Sequence, residues 1–125
     1  MHVKGLILCV CQGTCPSFQK MNVFEVVNHF RRSKKVDFAL IHPQLCANDG
    51  DNFWRALLGE GGGKIDKIVV AACDPVMQKK MFGRVFKELN FDESKFTGVE
   101  IRNMTTEEAI KAIEKALEGE VRKHD

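Results

Sequence analysis

The chain has 125 residues, 44% of them hydrophobic, which suffices for one compact core and leaves no room for a second domain. Lys and Arg number 19 and Asp and Glu 17, a net charge of +2, so no excess positive field marks a nucleic-acid partner or an anionic membrane. No apolar stretch has the length of a membrane span, and Met1–Val10 carries Lys4 inside a short apolar run without a small-residue cleavage site, so a cytoplasmic protein is expected.

Val3–Val10 is an apolar run of strand length, followed by a loop over Gln12–Gln19. Asn22 and Glu25 have capping-box spacing, and Val23, Val26, Val27 and Phe30 then recur at helical intervals until Arg31–Lys35 closes the helix. That basic cluster reads as favourable charge at a helix C-terminus or as a docking patch. Val36–His42 is a second strand, ended by Pro43, and Asp51–Leu58 a second helix with Phe53, Trp54, Leu57 and Leu58 inward; Asp49 and Asp51 read as N-cap and first-turn residues. Gly59–Gly63 follows that helix and precedes a strand, the wrong side of the unit for cradling phosphate, and reads as a connection.

Ile65–Ala72 is the clearest buried strand, with Asp74 as N-cap and Pro75 as first residue of a helix running to about Leu89. Met77, Met81, Phe82, Val85, Phe86 and Leu89 form its expected core stripe. Thr97–Arg102 is a fourth strand, Thr105 and Glu108 a second capping box, and Ala109, Ile110, Ile113, Ala116 and Leu117 the buried side of the last helix, with Gly119–Asp125 expected to fray. Alternating strands and helices imply an α/β fold with a parallel sheet covered on both faces, a small doubly wound sandwich of flavodoxin- or Rossmann-like shape in the order 2-1-3-4.

Five cysteines is a dense set for a chain that needs no disulfide staples, and in a reducing compartment it points to metal binding or redox chemistry. Cys9, Cys11, Cys15, Cys46 and Cys73 all fall at or just beyond the carboxyl ends of strands, the edge of an open α/β sheet where ligands bind, and none lies on a helix. Cys9 and Cys11 would share a face if the strand continued through both. Helix N-termini follow Cys46 and Cys73, where the dipole favours thiolate over thiol. Soft ligands suit an iron–sulfur cluster or zinc, not magnesium or calcium, and the spacings alone leave both open. His42, ending the second strand, is a further candidate ligand or a hydrogen-bonding neighbour of the metal.

Cys9-Val10-Cys11, Leu45-Cys46 followed by Asp49-Gly50, the block Val69-Val70-Ala71-Ala72-Cys73-Asp74-Pro75, Phe82 and Ile101-Arg102 together resemble the N-terminal domain of the A-type iron–sulfur subunit of heterodisulfide reductase, over nearly the whole chain. The resemblance implies a [4Fe–4S] cluster on Cys9, Cys11, Cys46 and Cys73, with Cys15 additional. Asp74 stands where that family usually has Ser, and Val76-Met77-Gln78-Lys79 replaces the stretch leading to its His-Glu. The flavin domain and ferredoxin inserts of the full-length relatives lie outside these residues, so the chain looks like one free-standing module. The delta subunit of methyl-viologen-reducing hydrogenase is a looser likeness.

The resemblance implies an electron-transfer component of an oxidoreductase, without catalytic residues of its own, whose partner is a flavin-containing oxidoreductase, a hydrogenase or a ferredoxin. Two other readings of the residues stay open: a thiol/disulfide or sulfur-handling protein using Cys9 and Cys11 or Cys11 and Cys15, and a flavodoxin-like binding module without metal. Gln12–Lys20 and Ala47–Asn52, with Pro16, Phe18, Lys20 and Asp49, are the expected docking rim.

Overall fold

A computed structural model of the protein describes residues 3–59 and 63–119. Four strands, β1 (Val3–Cys9), β2 (Phe38–His42), β3 (Ile65–Ala72) and β4 (Phe96–Glu100), form one all-parallel sheet in the order β2-β1-β3-β4. Between and after them run α1 (Val23–Ser33), α2 (Asn48–Leu58), α3 (Pro75–Glu88) and α4 (Thr106–Gly119). The doubly wound order follows from the alternation of short apolar runs with helical periods, because each parallel pair needs a crossover helix. Among the described residues no helix is long and apolar enough to cross a membrane. The middle of the Gly59–Gly63 run and nearly all of the Gly119–Asp125 tail lie outside the described residues.

Strand alternation divides the core in two. Leu6, Leu8, Val69 and Ala71 face α1 and α4, meeting Val26, Phe30, Ala109 and Ile113. Ile7, Ile68, Val70 and Ala72 face the other layer, where Trp54 of α2 meets Phe82 and Phe86 of α3 edge to face, each at 5.2 Å between ring centroids. Gly5 lets β2 approach β1, since a Cβ there would stand 2.1 Å from the Phe38 ring.

Several boundaries differ from the sequence expectation, each for a local reason. β2 begins at Phe38 because Asp37 is occupied with Lys4, accepting that residue's N–H on its carboxylate at 2.7 Å and donating its own N–H to the Lys4 carbonyl at 2.8 Å. β4 stops at Glu100: Ile101 still donates to the Ala72 carbonyl, but Asn103 turns into the left-handed region at φ 62°. Helix α2 starts three residues early, at Asn48, so Asp49 is a first-turn carboxylate and not the N-cap, a position Ala47 holds without a side-chain bond.

Met77 and Met81 are corrected more substantially. The inward face of α3 is Gln78, Phe82, Val85 and Phe86, and the two methionines, one position back along the helix, are 41% and 37% exposed. At 3.6 residues per turn that one-residue offset carries them about 100° away from the core.

The caps behave as their chemistry dictates. Thr105 and Glu108 form a reciprocal box, with bonds of 2.9 and 3.2 Å. Asn22 accepts from the Glu25 N–H, while the Asn22 N–H donates to Thr106 Oγ1, tying α1 to α4. Asp74 accepts the N–H groups of both Val76 and Met77 at 3.1 Å. Asp74→Ala is expected to cost about 1 kcal/mol, measured as a lower denaturant midpoint with unchanged slope.

Candidate functional site

Parallel strands end together, so the fold brings all five cysteines to one edge of the sheet. Cys9 closes β1 opposite His42 and is buried, and the N–H of Leu45 donates to its Sγ at 3.2 Å. The chain then leaves the strand: Val10 donates to the His42 carbonyl, Cys11 and Gln12 adopt φ of 51° and 65°, and Gln12 N–H reaches the Pro43 carbonyl. The strand therefore does not continue through Cys11, and the condition under which Cys9 and Cys11 would share a face is not met. Cys9 packs with the α2/α3 layer, and Cys11, Cys15 and Cys73 with the α1/α4 layer, so the set spans both faces of the sheet end.

Cys73 sits half-buried between β3 and the cap of α3, and Cys46 is exposed just before α2. Gln44 Nε2 donates to Cys46 Sγ at 3.4 Å, and Gln12 Nε2 donates to Gln44 Oε1 at 2.9 Å, linking the two cysteine loops through side chains. Gln19 braces the first loop by donating to the carbonyls of Gly13 and Cys15. These glutamines have no motif spacing in the sequence, and only the fold reveals their pairing.

The thiols differ electrostatically. Burial pushes Cys9 above the ordinary thiol range, against the pull of the Leu45 and Cys11 N–H groups, and the neighbouring Cys46 and Cys73 thiols add to the rise. Cys11 is also raised, by burial first and then by its neighbour Cys15. Cys15 is lowered, mainly by the backbone N–H of Ser17 and then its hydroxyl. Arg102, held by Glu100 at 2.7 Å, has its guanidinium stabilised chiefly by that carboxylate, with smaller contributions from Asp74 and Cys73. It places a cation within electrostatic reach of the Cys73 sulfur, a role no spacing in the sequence signals.

His42 is buried, and its ring is engaged on both sides: Nδ1 accepts the Gln44 N–H at 3.0 Å and Nε2 stands 3.9 Å from the Asp49 carboxylate, with Phe53 against the ring edge. It shapes the turn that carries Leu45 and Cys46. Phe18, expected on the docking rim, is 3% exposed and belongs to the α1/α4 core, whereas Pro16 and Lys20 are exposed.

Among the described residues, no three His, Cys, Asp or Glu side chains stand close enough to hold a single metal ion. The thiols are still electrostatic neighbours: Cys46 and Cys73 act on both Cys9 and Cys11, and Cys15 acts on Cys11. No family model matches the chain. The chain is similar to the A-type iron-sulfur subunit of CoB–CoM heterodisulfide reductase from Methanopyrus kandleri. The two are 28% identical over 116 residues, which cover 90% of this chain and 17% of that relative. The likeness supports a loose relationship along almost the whole of this chain, and the chain corresponds to a small part of the relative.

Proposed function

We propose that the protein is an electron-transfer module that binds an iron–sulfur cluster, of the [4Fe–4S] type, through Cys9, Cys11, Cys46 and Cys73. The observation that carries the reading is the meeting of these four thiols, distant in sequence, at one sheet end, in a chain similar to a protein named for its iron–sulfur content. In a four-iron cluster each iron takes one thiolate at the perimeter, so the ligands stand apart as ligands of a single ion do not. The donor set suits it: soft sulfur, with no carboxylate among the four.

The surroundings fit as well. Leu45 N–H and Gln44 Nε2 already donate to the sulfurs of Cys9 and Cys46, the kind of bond that offsets thiolate charge and tunes a cluster's potential. The N-terminus of α3 follows Cys73 and that of α2 follows Cys46, and Arg102 adds positive charge near Cys73. When bound, the cluster would supply a one-electron step. The chain's own residues hold it, screen its charge and keep its inner side dry, Cys9 from the α2/α3 layer and Val10 from the α1/α4 layer. The partner is a redox protein, and the chain is a component of an oxidoreductase system.

Anaerobically purified protein is expected to absorb broadly in the visible and to bleach reversibly on reduction. A colourless protein that takes up no reducing equivalents after reconstitution with iron and sulfide would refute the reading.

The closeness of Cys11 and Cys15 favours a second reading, a dithiol that loses two electrons and two protons to a disulfide oxidant and closes as a disulfide. Peptide mapping after mild oxidation tests it: a reversible Cys11–Cys15 bond in protein that never holds iron would favour this reading over the first.

A further inference from the structure

The order β2-β1-β3-β4 leaves β4 at an edge, and among the described residues β3 is the one strand it pairs with. Helix α3 lies over this side, and between it and β4 runs a groove of about 830 Å³ floored by Phe96 and Gly98. Four cations, Lys79, Lys80, Arg84 and Lys87, line it against a single acid, Glu93. All four are exposed, and none pairs with an acid among the described residues, in a chain whose net charge is only +2.

A second observation concerns Gly83, in the groove wall. Glycine inside a helix costs about 1 kcal/mol relative to alanine. Packing does not require it here, since a Cβ would meet nothing nearer than the Glu93 carboxylate at 3.8 Å. Its effect is to leave that part of the groove wall without a side chain, a gap beside the Glu93 carboxylate. Val76, 67% exposed, adds an apolar lip at the end nearest Cys73.

An open strand edge offers a row of backbone donors and acceptors, and lysines beside such an edge either guard it or select what pairs with it. The gap at Gly83 favours selection, because a guard is better served by bulk. We propose that this groove receives an extended acidic segment of a partner protein, which adds to β4 as a further strand while its carboxylates meet Lys79, Lys80, Arg84 and Lys87. Because Pro75 and Val76 at the groove's end follow closely on Cys73, such a segment would anchor its owner beside the thiols. That last clause rests on the electron-transfer reading, and the binding itself does not.

The test uses the full isotopically labelled chain, with and without reconstituted cluster, titrated at low salt with a short peptide of alternating Glu and Thr and followed by amide chemical shifts. Saturable binding is expected, with shifts concentrated in Phe96–Glu100 and α3, weakening as salt rises. The double variant Lys80→Glu, Arg84→Glu should bind about tenfold more weakly or worse. Gly83→Leu should block the groove while its melting temperature is not lowered. Absence of binding to the wild-type chain, binding unchanged in these variants, or equal binding of an acidic peptide whose Thr positions are Pro would overturn the proposal. Displacement by inorganic phosphate with the same shifts would make the groove a small-anion site and overturn it too. Peptide binding to protein that never takes up a cluster would sink the electron-transfer reading and leave this one standing.

Discussion

Serine in place of Cys9, Cys11, Cys46 or Cys73 is expected to cut iron and sulfide retention drastically, while Cys15→Ser keeps both at the wild-type level. Replacing a partner that merely hydrogen-bonds to a metal ligand typically costs about 10–100-fold in affinity, so removing a ligand sulfur should cost at least that much. Cys9 should show the largest deficit, because its sulfur is buried and fixed by the Leu45 N–H, leaving no room for water or another side chain to substitute. Cys46 is exposed, so exogenous thiol should partly rescue its variant. The measurement is iron and acid-labile sulfide per chain, alongside circular dichroism to confirm folding. Full retention in Cys9→Ser with loss in Cys15→Ser would reverse the assignment.

Gly50→Ala should be the most damaging small substitution near the site. Gly50 is buried in the first turns of α2, and a Cβ there would stand 1.8 Å from the Leu45 carbonyl oxygen, backbone that cannot swing aside. The loop or the helix must move, and such overpacking costs about 3 kcal/mol at the upper end of its usual range. Leu45 also donates to Cys9 and precedes Cys46, so the displacement reaches two of the four sulfurs. A lowered denaturant midpoint together with reduced cluster retention is expected. Ala56→Ser, exposed on the same helix, should change neither by more than about 0.5 kcal/mol or its equivalent in content. A Gly50→Ala protein of wild-type stability would show that the loop yields freely.

The contrast between Asp49-Gly50 and Met77-Gln78 shows what could be read from the residues alone. Periodicity placed four strands and four helices and gave the sheet order, because βαβ units admit few arrangements. The placement of all five cysteines at one edge followed from that order. Finer features escaped. Gln78 took the inward position of α3 although it is polar, with Met77 and Met81 turned outward, since helix phase is set by Phe82 and Phe86 packing on Trp54. Phe18 went into the core because its short helical turn folds back over α1 and α4, which no local pattern announces. Left-handed residues after Cys9 split the Cys9-Val10-Cys11 run across the two layers, and Arg102 came near Cys73 through the register that pairs Glu100 with Ala72 and lets Ile101 donate to the Ala72 carbonyl.

Metal and sulfide analysis of anaerobically purified and reconstituted protein tests the central claim most directly. About four iron and about four sulfide per chain, with no zinc, is the result expected of a [4Fe–4S] centre on four thiolates. Stoichiometric zinc without sulfide, or a folded protein that holds neither metal nor sulfide while its five thiols remain reduced, would contradict it.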